Sequence, residues 1–326
     1  MIITRTPLRV SIGGGGTDLP SYYAQRGGFV VAAAIDRYMY VSANRTFTDD
    51  YFLKYSAIER VSSVDEINHP LIREALRRHD TGPALELVSV ADIPAGTGLG
   101  SSGTFTVGLL RALYAMKREP VTTQALAEEA CHIEMEILGQ PVGKQDQYIA
   151  AYGGLTVFDI SRDGSVEVTP LAVGSDTIAD LETHLVLFFT GYSREASTIL
   201  AEQKTRSEAN DPNMLAALDR VKELGHEIKR TLEDGDTVGY AKLMHEHWEA
   251  KRMRSQGMSN PKIDRWYEMA RANGAIGGKL VGAGAGGFLL LYADDPARIR
   301  RVLNAEGLTE VRIRFDHDGS VVLARG

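Results

Sequence analysis

Pro94-Ala95-Gly96-Thr97-Gly98-Leu99-Gly100-Ser101-Ser102-Gly103 is the stretch on which the fold of this chain turns. Before it, Leu85 to Ala91 reads as a strand; after it, Gly103 to Met116 reads as a helix. A strand, a glycine-rich turn and a helix in that order can cradle phosphate. Glycines let the main chain approach an anion closely, and the free amides of the first helical turn point at it. Ser101 and Ser102 add hydroxyls that can hold phosphate or a magnesium ion. A plain glycine-rich turn capped by serine fits the same local pattern.

Gly98-Leu99-Gly100-Ser101-Ser102-Gly103 also satisfies the dinucleotide pattern G-x-G-x-x-G. Its surroundings do not. A Rossmann unit needs a second strand ending in an acidic residue, whereas Thr123 to Leu138 reads as another helix, stopped at Gly139-Gln140-Pro141. A second match, Gly282 to Gly287, runs into the strand-like Phe288-Leu289-Leu290-Leu291, and no Walker A sequence is present.

Outward from the loop, residues 2–12 predict a strand opening onto Gly13-Gly14-Gly15-Gly16, and 29–46 predict strands around a turn at Asp36-Arg37. A helix is expected over Leu71–Arg78 and two short strands beyond Gly153-Gly154. The loop at Gly174-Ser175-Asp176 marks a domain boundary, giving domains 1–175 and 176–326. The second half predicts a strand at 184–189, helices over much of 195–272, strands at 276–281, 287–293 and 309–315, and a helix at 296–304. That order is α+β, with helices segregated from the sheet.

A chain of 326 residues with 44% apolar and 24% charged residues suits two globular cores. No apolar run approaches a membrane span, and Met1-Ile2-Ile3-Thr4-Arg5 lacks the layout of a signal peptide, so no membrane and a cytoplasmic location are expected. With Cys131 alone, no intrachain disulfide can form. A net charge of −7 without a long basic stripe argues against a nucleic-acid partner and leaves small anionic ligands open. His245-Glu246-His247 lacks the H-E-x-x-H spacing of a zinc site and reads as a polar helix face.

Three segments together resemble the signature motifs of the GHMP kinases, in the family's order: Pro7 to Asp18, the 94–103 loop, and Lys279 to Gly287. The resemblance implies an α+β, two-domain fold, with a ribosomal protein S5 domain 2-like N-terminal domain, a ferredoxin-like C-terminal domain and the active site between them. ATP and Mg2+ are the implied cofactors, with Pro94, Gly96, Gly98, Leu99, Gly100, Ser101, Ser102 and Gly103 around the nucleotide. The segment Glu134 to Gln147 is similar to the family stretch that carries a metal-binding Glu and, after a Gly-x-Pro-x-Gly turn, a catalytic Asp. By that resemblance Glu134 and Ser102 hold the metal, and Asp146 acts with Arg9, a neighbouring cation that favours its ionised form. Gln145 is one residue more than mevalonate-kinase-like members carry before the Asp, which leaves Glu136 open as the alternative ligand.

Gly14-Gly15-Gly16-Thr17-Asp18-Leu19-Pro20, with Gly143 to Tyr148 and Thr190 to Arg194, resembles the branch of the family acting on D-glycero-D-manno-heptose 7-phosphate. This implies phosphorylation of the anomeric hydroxyl to the 1,7-bisphosphate, a step towards nucleotide-activated heptose for surface polysaccharides. Gly15, Gly16, Thr17 and Asp18 are then expected at the acceptor, with Lys144, Arg194 and Gly284. Asp18 would accept hydrogen bonds from sugar hydroxyls; a helix N-cap before Leu19-Pro20 is its other reading. Arg194, at a strand-to-helix turn, offers a planar fork for the acceptor's phosphate. Fucose is the competing acceptor, and a sugar-binding regulator without turnover the competing class.

Overall fold

The structure, a computed structural model, describes residues 1–191, 196–209, 211–252, 257–282, 284 and 286–326. The first half runs β1 (Ile2–Gly13), α1 (Pro20–Arg26), β2 (Gly28–Arg45), β3 (Tyr51–Lys54), β4 (Ile58–Val61), α2 (Pro70–His79) and β5 (Leu85–Ala91). It continues through α3 (Ser101–Lys117), α4 (Thr123–Cys131), α5 (Gln145–Tyr152), β6 (Leu155–Ile160) and β7 (Val166–Pro170). The second half holds α6 (Ser175–His184), β8 (Leu185–Phe189), α7 (Ala196–Glu208), α8 (Pro212–Glu233), α9 (Thr237–Arg252) and α10 (Pro261–Ala272). It closes with β9 (Ala275–Leu280), β10 (Phe288–Ala293), α11 (Pro296–Ala305), β11 (Thr309–Val311) and β12 (Val321–Arg325).

Residues 28–45 form one strand, not two around a turn. Pro7 pairs with Tyr38 and Leu8 with Ile35, so Asp36 and Arg37 bulge out of the ladder while the strand continues. The bulge changes the strand's neighbours: Gly28–Ala33 pair with β6, and Met39–Arg45 pair with β5. Asp36 instead meets the C-terminal segment, where its main-chain N–H donates to Arg314 and its carboxylate accepts from Arg314 N at 2.8 Å.

Both faces of the first half of β2 are buried, which is why 29–35 reads as an unbroken apolar run. Val30, Ala32 and Ala34 pack into a core shared with α2 to α5. Phe29, Val31, Ala33 and Ile35 point the other way, into a core shared with α8, α9 and the second sheet. That second sheet is antiparallel, in the order β11-β8-β10-β9. With its strands numbered from β8 the order is 4-1-3-2, and with α7 to α10 and α11 as the crossovers the unit is ferredoxin-like. Its far face buries Trp248, Trp266, Tyr267 and Ile299.

Some elements differ from the sequence reading. The chain at 175–184 is helical, the 309–315 strand is three residues long, and α1, β3, β4 and α5 were not anticipated. The final strand, β12, crosses back to pair with β1 in the first sheet. A division at 175/176 therefore assigns to the second segment a strand that the first sheet uses. No described helix is long and apolar enough to cross a membrane.

Candidate active site

The 94–103 loop joins β5 to α3 and forms one wall of a cavity of about 570 Å3. Gly96, Gly98 and Gly100 all have positive φ, with Gly100 as the left-handed N-cap of α3, so the loop's shape depends on glycine. Gly96, Gly98, Gly100, Ser101 and Ser102 face the cavity. Pro94, Leu99 and Gly103 support the loop from behind. The Pro94 carbonyl accepts from the Thr97 hydroxyl, and Leu99 is buried in the core while its carbonyl accepts from Arg9 N at 3.1 Å.

The third glycine-rich segment is a buttress for this loop. A Cβ on Gly282 would lie 2.5 Å from Gly98 Cα, and one on Gly287 would lie 2.2 Å from the Thr97 carbonyl oxygen. Backbone therefore meets backbone. Gly284 follows the same logic: its Cβ would sit 2.4 Å from Met258 Sδ, and it packs against the chain instead of lining the cavity.

Arg9 spans the loop and α5. Its Nε and Nη2 donate to Asp146 Oδ1 at 2.8 and 2.7 Å, and its Nη1 donates to the Gly98 carbonyl at 2.6 Å. Asp146 lies in the first turn of α5 beside the α3 N-terminus. A Cβ on Gly103 would lie 2.8 Å from Asp146 Cβ, so the two helix starts nearly touch.

Glu134 sits where α4 passes into a π-helical turn, His132–Ile137, a local widening often found at functional sites. Residues two apart on a helix face opposite ways. Glu134 is fully buried and bonded to Ser102 Oγ and Gln147 Nε2, both at 2.9 Å, whereas Glu136 points outward to His132. Burial pushes the Glu134 carboxyl up to about 7 against hydrogen bonds from Gln147 and Ser102, with the Asp146 charge adding to the rise. Two hard oxygen donors, one a desolvated carboxylate beside the phosphate loop, fit a magnesium ion.

At the other end of the cavity, Asp18 accepts from Gly16 N at 2.9 Å and from Gln145 N at 3.1 Å. It is not a helix cap; the N-cap of α1 is Leu19. Burial raises the Asp18 carboxyl above its ordinary range, opposed by the Gln145 main-chain bond. Gly15 and Gly16 line the cavity with it. Thr17 does not: it is buried, and its hydroxyl donates to the Gly14 and Phe29 carbonyls, which fixes the loop. Lys144 also turns away, donating to the Gly164 carbonyl and lying over the Tyr23 ring. Arg194 lies outside the described residues.

The cavity contains residues that the sequence reading missed. Gln145, the extra residue, holds Asp18 through its main chain and accepts from Ser11 Oγ at 3.1 Å through its side chain. Lys279 and Lys251 are buried on the second sheet's side, the latter donating to the Leu280 and Gly282 carbonyls. His247, read as part of a polar helix face, is buried against the cavity, and Gln203 joins it from α7. Only Lys279 carried a signal, since it opens the third glycine-rich segment. The remaining end, lined by Met39, Tyr55, His69, Leu71 and Phe105, is apolar and aromatic and suits a flat base.

A glycine-rich loop at a helix start, a buried carboxylate and an Arg–Asp pair around one cavity fit a small-molecule kinase of two-domain α+β architecture. The chain belongs to the GHMP kinase family, whose members draw their phosphoryl group from ATP: the family's N-terminal domain matches residues 69–154 and its C-terminal domain matches 214–307. It is 31% identical over 306 residues to the D-glycero-alpha-D-manno-heptose 7-phosphate kinase of Campylobacter jejuni subsp. jejuni serotype O:2, covering 90% of this chain and 89% of that one. A D-glycero-D-manno-heptose 1-phosphate kinase from Bacteroides thetaiotaomicron shares the fold with a TM-score of 0.81 at 24% identity, over 100% of both chains. A sugar kinase structure from Campylobacter jejuni superposes with a TM-score of 0.77 at 27% identity, over 98% of this chain and 97% of that one.

Proposed function

We propose that this protein is a cytoplasmic, ATP- and magnesium-dependent kinase that phosphorylates the anomeric hydroxyl of D-glycero-D-manno-heptose 7-phosphate, giving the 1,7-bisphosphate. The observation that carries the reading is the Arg9–Asp146 pair, held between the phosphate loop and the Asp18 end of one cavity. We assign residues 1–175 to the nucleotide-binding domain and 176–326 to the C-terminal domain, apart from its last strand, β12, which returns to the first sheet.

In this reading the amides of 96–102 and the α3 N-terminus hold the ATP phosphates. Ser102 and Glu134 would hold a magnesium ion, which would supply charge neutralisation at the phosphates. Asp18 accepts hydrogen bonds from sugar hydroxyls and sets the ring so that the anomeric oxygen faces Asp146. Asp146 orients that hydroxyl and takes its proton as the new O–P bond forms and the bond to ADP breaks. Arg9 fixes the direction of Asp146 through its two bonds to Oδ1.

The test is steady-state kinetics on heptose 7-phosphate, the unphosphorylated heptose and fucose, with wild type and Asp146→Asn. Asp146→Asn should bind ATP normally and turn over at least about a hundredfold more slowly. Near-normal turnover by the folded variant removes Asp146 from the mechanism. Higher kcat/KM on fucose replaces the acceptor assignment, and no ATP consumption with any sugar returns the protein to a binding role.

A further inference from the structure

Three residues at the acceptor end of the cavity have no place in the chemistry just described. Gln203, His247 and Lys279 come from α7, α9 and β9, and each is only 2% exposed while still lining the cavity. Lys279 Nζ donates to the Ile12 carbonyl at 2.7 Å, one residue before the glycine turn that leads to Asp18. α7 packs on α1, the helix that directly follows Asp18, and α9 packs between β9 and β1. All three therefore line the cavity from the C-terminal side, and Lys279 is tied to the chain that leads into the Asp18 loop.

A neutral sugar does not require such a wall. Its hydroxyls find partners in Asp18, Ser11 and Gln145. A phosphate dianion entering here also meets the Asp18 and Asp146 carboxylates, of which only Asp146 is paired with Arg9. It needs a cation and neutral donors of its own, and charge-assisted bonds to phosphate are the strong ones.

We propose that Gln203, His247 and Lys279 form a subsite for the acceptor's own phosphate, so that the enzyme selects a sugar phosphate over the neutral sugar. This rests on the sugar-phosphate reading of the acceptor. Lys279 supplies the charge, Gln203 an amide donor and His247 a ring N–H. These are specificity residues; the anomeric chemistry stays with Asp146 and Arg9.

The experiment compares wild type, Gln203→Glu, Lys279→Met and Lys279→Arg on heptose 7-phosphate and on the neutral heptose, with KM for ATP measured in parallel. Gln203→Glu keeps the shape and adds a repelling charge, so it reads the subsite even if Lys279→Met fails to fold. Gln203→Glu and Lys279→Met should each raise KM for the sugar phosphate about ten- to hundredfold, the range of a hydrogen bond to a charged group. Turnover of the neutral heptose and KM for ATP should change less than about twofold, and Lys279→Arg should restore most of the phosphate preference. Equal losses on both sugars, or a raised KM for ATP in place of the acceptor effect, overturn the subsite while leaving the kinase reading intact. A wild type that prefers the neutral heptose overturns both.

Discussion

Replacing Gly103 by alanine tests how closely the catalytic geometry depends on the contact between α3 and α5. The added Cβ would stand 2.8 Å from Asp146 Cβ, 3.0 Å from Gln147 N and 3.1 Å from the Asp146 carbonyl carbon. Non-bonded carbons settle at roughly 3.5–4.0 Å, so the two helix starts must separate by about 0.7 Å or more. No flexible side-chain end is available to swing aside, because the opposing atoms are backbone and a Cβ. The separation carries Asp146 away from the Gly98 carbonyl, and the Arg9 fork bridges the two with bonds of 2.6 to 2.8 Å. It cannot keep both. A misplacement approaching 1 Å costs on the order of a hundredfold in rate, so kcat should fall about ten- to a hundredfold. Stability should change little by comparison: overpacking costs about 1–3 kcal/mol, and alanine in a helix regains roughly 0.5–1. The assay is ADP release under saturating substrates beside a thermal melt. Gly174→Ala serves as the control, since its Cβ would meet nothing within 4 Å. A folded Gly103→Ala enzyme with kcat within about twofold of wild type would refute the reasoning.

Gly143→Ala would place a Cβ 2.0 Å from Asp18 Oδ2, so KM for the sugar should rise at least about tenfold while KM for ATP holds; an unchanged sugar KM removes Asp18 from acceptor recognition. Glu134→Gln should raise the magnesium concentration for half-maximal rate and Glu136→Gln should not, because only the former carboxylate is buried beside Ser102; the reverse order would shift the metal to the outer face. Glu129 sits where burial would raise its carboxyl, yet His79 Nε2 at 3.4 Å and hydrogen bonds from Tyr114 and Arg78 outweigh burial and lower it to about 2. Its contribution is then complete above the ordinary value of 4.5 and is lost as pH falls towards 2. In urea titrations Glu129→Gln should be less stable than wild type by about 2 kcal/mol at pH 7, and the gap should narrow below pH 4.5; a gap that widens as pH falls contradicts the sign.

What the sequence determined by itself is whatever a short run of residues imposes on its own backbone. Gly96, Gly98 and Gly100 demand left-handed φ, and flanking strand and helix patterns turn that demand into a loop at a helix start, so the glycine-rich turn between β5 and α3 was legible at once. The α+β class followed from the same local periodicities. The strand at 28–45 was misread because Asp36-Arg37 has the chemistry of a turn; only pairing with β1 on one side and the 312–315 segment on the other makes it a bulge inside one strand. Glu134 and Glu136 look alike in sequence, and only the packing of α4 against α3 and α5 decides which one meets Ser102. Thr17 and Lys144 were expected at the acceptor by position and are turned away by partners at Phe29 and Gly164. Gln203, His247 and Lys279 share no motif, being spread over 77 residues of chain on three elements. Their meeting at one cavity wall depends on α9 docking on β9 and α7 packing on α1 and α8, a long-range packing outcome that no local preference encodes.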